Sequence, residues 1–186
     1  MLIASNIILW VLVLVLLAVV LALVRQVGVL YERVAPAGAR KASSGLKAGE
    51  EMPVLDLRTL DGHPLRLGGA PGNGKSTLLF FLSPTCPVCK TLLPVLQAIR
   101  NREASWLDIV LASDGDAAEH RAWLRAQGME SWPYVLSPQL GLAMQVGQLP
   151  FAALVDKNGV LRARNPVDSA EQIENMVGDQ YYEMAG

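Results

Sequence analysis

Apolar and polar positions divide the chain into an N-terminal apolar run and a longer part in which the two alternate. Residues 2–24 contain no charged side chain, and a helix of that length spans the roughly 30 Å hydrocarbon core of a bilayer. A cleaved signal peptide is disfavoured, because its apolar core is shorter and is preceded by Lys or Arg. The pattern therefore predicts one transmembrane anchor over residues 1–24.

The composition changes after the anchor. Residues 25–49 are rich in Ala, Gly and Ser and show no sustained apolar period, which is typical of a tether. From residue 50 to residue 186, strand-like and helix-like runs follow one another. We therefore expect a single globular domain over 50–186, joined to the anchor by a linker over 25–49.

The apolar period within this domain predicts its individual elements. Asp61-Gly62 is a hairpin signal between two short strands in 53–67. The run 76–82 is almost wholly apolar, as in a strand buried on both faces of a sheet. These strands and the later elements predict an α/β sandwich. The later elements are a helix over 86–102, a strand over 107–113, a helix over 116–127, a strand over 134–136, a helix from Pro138, strands over 151–156 and 160–164, and a helix from Ser169.

The charged residues bear on two questions, whether the protein binds nucleic acid and on which side of a membrane its domain lies. The 16 Lys and Arg and the 17 Asp and Glu give a net charge of −1 without a dominant basic block, which argues against nucleic acid as a partner. Arg25, Arg33, Arg40 and Lys41 follow the anchor, and no Lys or Arg precedes it. The positive-inside rule, taken alone, places the domain in the cytoplasm.

A glycine-rich stretch matches a nucleotide-binding motif. Gly69 to Ser76, GAPGNGKS, fits the pattern G-x-x-x-x-G-K-[ST]. A phosphate-binding loop must open a helix, because the N-terminal amides of that helix hold the phosphates. Lys75 and Ser76 lead instead into the predicted strand 76–82. We therefore expect the match to be accidental and the protein to bind no nucleotide.

A second motif contains the only two cysteines, Cys86 and Cys89, in the stretch CPVC between a predicted strand and a predicted helix. Cys86 falls at the helix N-terminus, where unpaired amides and the helix dipole favour a thiolate, and Pro87 suits the first turn. Cys89 lies three residues later, within disulfide reach on the same face. The spacing predicts a redox-active pair, with Cys86 as attacking thiol and Cys89 as resolving thiol.

Three alternative roles for the cysteines are weaker. Structural zinc needs four ligands, and His63 and His120 have no ligand spacing relative to the cysteines. A static disulfide would close too small a loop to restrict the unfolded chain. Two inert buried cysteines would not need a strand-to-helix junction. We expect no metal and no cofactor other than the Cys86–Cys89 disulfide.

Two stretches resemble the thioredoxin family. CPVCKTLLPVLQAI, at 86–99, is similar to its active-site helix, including the internal proline Pro94. VGQLPFAALVDKNGVL, at 146–161, resembles its cis-proline loop, with Pro150 opposite the cysteines and Leu149 before it. The resemblance implies a thioredoxin-like sandwich with a central mixed sheet flanked by helices. It also implies substrate-binding roles for Pro87, Val88, Leu149 and Pro150.

The whole chain further resembles a family of accessory proteins of methylamine utilisation, through the anchor, RQVGVLYERVAPAGA, STLLFFLSPTCPVCK and VLASDGD. This implies a thiol–disulfide oxidoreductase or isomerase that forms or corrects disulfides in the small subunit of methylamine dehydrogenase, served by a membrane redox partner. Disulfide formation needs an oxidising compartment, and long domains can translocate despite their charges. We therefore expect a single-pass inner-membrane protein with its domain in the periplasm.

One position departs from the thioredoxin pattern. Reducing members of that family carry a buried acid six residues before the first cysteine, where this chain has Phe80. The change favours an oxidant or isomerase over a general reductase. Two alternatives remain: a tethered reductase for cytochrome c or copper-site maturation, and a non-catalytic scaffold for dehydrogenase assembly.

Overall fold

The structure is a computed structural model. The predicted anchor, 1–24, lies partly outside the residues that it describes, and the predicted linker, 25–49, lies mostly outside them, so both stay predictions. Residues 9–17 are helical, with exposed apolar side chains. Within the described part of the chain, no helix has both the length and the apolar content needed to cross a bilayer. The described residues are 3, 6–7, 9–17, 19–20, 46–70 and 72–185.

The domain begins with a two-stranded antiparallel hairpin. Strands β1 (Leu55–Arg58) and β2 (Pro64–Leu67) pair with Leu57 opposite Leu65. Between them, Gly62 has a φ of 84°, which glycine adopts without steric cost. The Asp61-Gly62 signal therefore predicted this hairpin correctly.

A mixed five-stranded sheet forms the centre of the domain, in the order β5-β4-β3-β6-β7. Strand β4 runs parallel to β3 and β5, whereas β6 is antiparallel to β3 and β7. This arrangement confirms the predicted mixed sheet. Its strands are β3 (Ser76–Phe81), β4 (Leu107–Ser113), β5 (Tyr134–Leu136), β6 (Phe151–Val155) and β7 (Leu161–Pro166).

Within the described domain, four helices flank the sheet, and side-chain caps set where three of them begin. The Asp116 side chain accepts hydrogen bonds from the N–H groups of Ala118 and Glu119, and Ser137 accepts one from Leu140. Cys86, the first residue of the predicted helix 86–102, is the N-cap, and the helix itself begins one residue later. The helices are α1 (Pro87–Arg102), α2 (Ala117–Gln127), α3 (Pro138–Ala143) and α4 (Ala170–Ala185).

Strand β3 separates two hydrophobic clusters. Leu78 and Phe80 face a cluster that contains residues of α1, α2 and α4, whereas Leu79 and Phe81 face one that contains residues of α3 and of the hairpin. All four side chains are almost completely buried. The strand is apolar without alternation because both faces of the sheet are covered.

The glycine-rich loop leads into β3, as predicted, and its glycines allow two close backbone approaches. A β-carbon at Gly68 would overlap the Pro53 carbonyl oxygen, and one at Gly159 would overlap the backbone of Gly69. These approaches tie the loop to the segment before β1 and to the turn before β7. Only glycine fits where another backbone comes this close.

The lysine of the same loop contacts the protein itself. Lys75 Nζ donates a hydrogen bond to the Ala104 carbonyl oxygen at 2.7 Å and lies 3.4 Å from Asp108 Oδ1. These contacts attach the start of β3 to the region between α1 and β4. The loop residues therefore have structural roles that account for their presence.

A matched pair of glycine substitutions tests the close approach at Gly159. Gly62 and Gly159 have φ angles of 84° and 83°, but nothing lies within 4 Å of a β-carbon at Gly62. We expect Gly62→Ala to lower the free energy of unfolding by about 1–2 kcal/mol through backbone strain. Gly159→Ala should cost about 1–3 kcal/mol more, because the backbones must separate. Equal shifts of the urea unfolding midpoint would contradict the role assigned to Gly159.

Candidate active site

The two cysteines lie where β3 passes into α1. Cys86 has extended backbone angles, φ −79° and ψ 114°, and its sulfur accepts a hydrogen bond from the Cys89 N–H at 3.2 Å. Pro87 occupies the first helical turn, where a backbone N–H would have no intrahelical partner, so its absence costs no hydrogen bond. The Cys86 sulfur thus caps α1 at the position predicted from the sequence.

The two sulfurs differ in exposure. Both cysteines are free thiols in this structure, with Cys86 partly exposed and Cys89 completely buried, at 0% exposure. A substrate disulfide or thiolate can therefore approach Cys86, while Cys89 can react only with a sulfur bound to Cys86. This geometry supports the predicted division into attacking and resolving thiols.

Burial also keeps Cys89 protonated. The pKa of the Cys89 thiol is raised to about 12, mainly by loss of solvent and further by the hydrogen bond and negative charge of the Cys86 sulfur. A backbone hydrogen bond from Ser83 opposes it. The folded protein therefore holds Cys89 as a neutral thiol at neutral pH. Its proton must leave before or during its attack on a mixed disulfide.

Pro150 and Cys86 lie at the same end of the sheet, in the loops before β6 and after β3. The Leu149–Pro150 peptide bond is cis, in agreement with the predicted cis-proline loop. Phe151, the first residue of β6, pairs with Phe81, the last residue of β3. Because the two strands are antiparallel, the loop before β6 and the loop after β3 leave the sheet at the same end.

Exposed apolar side chains accompany both predicted substrate-binding loops. Val88 is 40% exposed and Leu149 is 41% exposed. An open groove of about 420 Å³ lies next to Pro150. Val88, Leu149 and this groove are the surfaces that a bound peptide could contact. The groove is lined by Gln145, Gly147, Gln148, Phe151, Arg164 and Pro166.

Phe80 is fully buried in the hydrophobic cluster that also contains Cys89. The position where reducing thioredoxins carry an acid is therefore packed with an aromatic ring. A buried phenylalanine can neither accept nor donate a proton. Phe80 therefore provides no proton acceptor for Cys89.

A buried polar pair on the same side of the sheet was not identified from the sequence. His120 on α2 and Tyr134 on β5 are 2% and 1% exposed, with His120 Nδ1 2.6 Å from Tyr134 Oη. The sequence pattern indicated no role for His120 once its spacing had argued against zinc. Within the described ranges, no group of three or more His, Cys, Asp or Glu side chains could hold a metal ion.

Comparison with known proteins identifies relatives of the whole chain. The family model described as Redoxin matches residues 47–179. The Methylamine utilization protein MauD of Methylobacillus flagellatus is 40% identical over 94% of this chain and 84% of its own length. Its counterpart in Paracoccus denitrificans is 40% identical over 95% of this chain and 87% of its own length.

A solved structure shows the same fold. The exposed lipoprotein thioredoxin of Streptococcus pneumoniae strain TIGR4 superposes with a TM-score of 0.59, covering 68% of this chain and 99% of its own. The two sequences are 20% identical. The similarity confirms the predicted thioredoxin-like α/β sandwich.

The difference between the two thiols can be tested by alkylation. With limiting iodoacetamide at neutral pH, the reduced, folded protein should be labelled at Cys86 at least about tenfold more than at Cys89, because Cys89 is buried and protonated. Peptide mapping by mass spectrometry measures the two products. Labelling in urea should remove the difference. Equal labelling of the folded protein would contradict the assigned roles.

Proposed function

Since the chain belongs to the Redoxin family and, within it, to the MauD family of methylamine utilization proteins, we propose that it forms or corrects disulfides in the small subunit of methylamine dehydrogenase. The chain is an oxidoreductase, and its predicted resemblance to this family is confirmed. One observation carries the proposed chemistry: an accessible thiol caps a helix beside a buried, protonated thiol.

The oxidising reaction begins with the Cys86–Cys89 disulfide. A substrate thiolate attacks Cys86 Sγ, the sulfur–sulfur bond breaks, and Cys89 leaves and takes up a proton. A second substrate thiolate then attacks the substrate sulfur of the mixed disulfide and releases Cys86. Two substrate thiols lose two electrons and form a disulfide, while the Cys86–Cys89 pair gains the two electrons.

The isomerising reaction begins with the reduced pair. Cys86 attacks a wrongly paired substrate disulfide, and one substrate sulfur leaves as a thiolate. That thiolate can attack another substrate disulfide and rearrange the pairing, after which Cys86 is displaced. If rearrangement stalls, Cys89 attacks Cys86 and releases the substrate reduced. The same two sulfurs therefore serve both reactions.

The substrate is proposed to bind across the loops that meet beside Cys86. Leu149 and Pro150 precede β6, and an extended peptide can lie beside them by strand-like pairing. Val88, which follows Pro87, and Leu149, which precedes Pro150, offer exposed apolar contacts. An extended, apolar segment around a substrate cysteine would fit these contacts. This chemistry suits a protein that acts before its substrate is fully folded.

After each oxidation the pair must lose its two electrons again. We assign this step to a membrane redox partner that supplies a disulfide, because Cys86 can exchange with a partner disulfide as it does with substrate. The predicted anchor would keep the two proteins in one membrane. No metal or organic cofactor takes part in this scheme.

The domain is proposed to lie in the periplasm, with residues 1–24 in the inner membrane. Net disulfide formation requires an oxidising compartment, and the cytoplasm keeps thiols reduced. The basic residues after the predicted anchor oppose this orientation. Long domains can translocate largely regardless of flanking charge, so the redox requirement decides the assignment.

Replacement of the resolving thiol Cys89 should trap the substrate. Cys89→Ser retains the Cys86 nucleophile but has no internal thiol to release a mixed disulfide, so covalent complexes should accumulate. In methylamine-grown cells, non-reducing gels and mass spectrometry should identify the dehydrogenase small subunit among them. The matched variant Cys86→Ser should capture almost nothing, because its remaining thiol is buried.

The captured protein separates the candidate functions. Apocytochrome or copper-site proteins in place of the dehydrogenase subunit would favour the tethered reductase. Capture of no partner by either variant, with dehydrogenase assembly still dependent on the protein, would favour the scaffold. Equal capture by both variants would refute the assignment of Cys86 and Cys89 to separate roles.

The compartment can be tested with reporters fused after Gly186. A reporter that folds only in the periplasm should be active there, while a reporter that works only in the cytoplasm should be inactive. As an internal control, both reporters are also fused to a chain without residues 2–24. Without the predicted anchor the domain should stay in the cytoplasm, so only the cytoplasmic reporter should be active. Activity of the cytoplasmic reporter on the full chain would remove the oxidising compartment that the proposed function needs.

A further inference from the structure

The resolving step poses a proton-transfer problem that the cysteines alone do not solve. Cys89 is completely buried, and its pKa of about 12 leaves very little thiolate at neutral pH. The attacking species in disulfide exchange is the thiolate. Phe80, in the same cluster, cannot take the proton. An acceptor inside the domain would speed the resolving step.

The hydrogen bonds of His120 fix where its protons lie. Its Nε2 is 2.8 Å from the Asp114 carbonyl oxygen, and a carbonyl oxygen only accepts, so Nε2 carries the hydrogen. Its Nδ1, 2.6 Å from Tyr134 Oη, is then the bare nitrogen of the neutral ring. Tyr134 donates its hydroxyl hydrogen to His120, and a lone pair remains on Oη.

Tyr134 lies on the side of the sheet that faces Cys89. Phe80 on β3 pairs with Leu111 on β4, and Leu111 pairs with Tyr134 on β5, so the three form one row across the sheet. All three belong to the cluster that contains Cys89. The tyrosine places a hydroxyl two strands from the position that Phe80 fills with an aromatic ring.

Electrostatics link the hydroxyl with the thiol. Burial raises the pKa of Tyr134, a hydrogen bond with Ser113 lowers it, and the charges of a Cys89 thiolate and of Asp114 raise it further. The side chains of Tyr134 and Cys89 lie in the same hydrophobic cluster, on one side of the sheet.

We infer that the buried Tyr134–His120 pair is the proton acceptor for Cys89 in the resolving step. The inference rests on the proposed exchange at Cys86 and Cys89. The Cys89 proton passes to Tyr134 Oη through an intervening water molecule, while the tyrosine proton passes to His120 Nδ1. Cys89 becomes a thiolate, tyrosine stays neutral and His120 becomes a cation. No electrons move until the thiolate attacks the Cys86 mixed disulfide.

The charged residues near His120 in the sequence are mostly carboxylates. The Asp114 carbonyl oxygen accepts a hydrogen bond from His120 Nε2, and the Asp114 carboxylate raises the pKa of Tyr134. Asp116 and Glu119 precede His120 in the chain, with the Asp116 carboxylate bonded to two backbone N–H groups. Arg121, the neighbouring cation, donates instead to the Leu60 carbonyl oxygen.

The two exchange steps can be timed separately with a chromogenic aryl disulfide on the reduced full chain in detergent. The first aryl thiolate is released when Cys86 attacks the reagent. The second is released when Cys89 attacks the resulting mixed disulfide, and Cys89→Ser identifies it by abolishing it. The first release reports the proposed exchange, and the second reports the proton acceptor.

Tyr134→Phe should leave the first release unchanged and slow the second by roughly 10–100-fold at neutral pH, because a positioned base is lost. Its second release should rise tenfold per pH unit, since the proton must then leave to hydroxide. The unaltered protein should show a shallower pH dependence. Tyr181→Phe, which removes the same atom from an exposed tyrosine on α4, is the matched control.

His120→Gln distinguishes proton transfer from a structural role. Glutamine can accept from Tyr134 and donate to the Asp114 carbonyl, but it takes up no proton at these pH values. It should slow the second release as Tyr134→Phe does. Should Tyr134→Phe fail to fold, the double change Tyr134→Phe with His120→Leu removes both polar partners together, which is better tolerated in a core.

The outcomes distinguish failure of the proton acceptor from failure of the exchange itself. A normal second release in folded Tyr134→Phe, or in His120→Gln, would overturn the assignment of the pair as proton acceptor. Slowing of both releases together would also overturn it, because the defect would then not be specific to Cys89. Failure of the unaltered protein to release any aryl thiolate would overturn the proposed exchange, and the proton acceptor with it.

Discussion

The hydrogen bond from the Cys89 N–H to the Cys86 sulfur is the interaction on which the site depends. It makes the nucleophile the N-cap of α1, so the chemistry is fixed to the point where β3 ends and the helix begins. The same geometry turns Cys89 inward, beneath the first turn. Exposure of one sulfur and burial of the other are thus two results of a single capping arrangement.

Burial gives selectivity and creates a difficulty at the same time. A buried Cys89 cannot exchange with stray disulfides, and while its thiol stays protonated a mixed disulfide at Cys86 persists for substrate rearrangement. The same burial holds the thiol protonated, which slows the internal release. An acceptor that receives the proton through Tyr134 would let the protein keep both properties, since the thiolate would form only when it is needed.

Local patterns predicted most of the fold and the two cysteines, but they did not predict the His120–Tyr134 pair. Alternation, turn residues and capping positions lie close together in sequence, so they located the hairpin, the buried β3 strand and the Cys86 cap. The His120–Tyr134 bond joins residues 14 apart on a helix and a strand. Nothing in either local sequence indicates the partner, because the contact exists only after β5 pairs with β4.

The glycine-rich loop shows why a motif has meaning only with the element that follows it. In a phosphate site, glycine lets a backbone approach the ligand, and the helix after the loop supplies the amides. In this protein glycine lets one backbone approach another, at Gly68 and at Gly69 opposite Gly159, and the loop leads into a strand. CPVC and GAPGNGKS are equally good matches as strings. Only CPVC opens a helix, and that helix gives the first sulfur of the motif a place at its N-terminus.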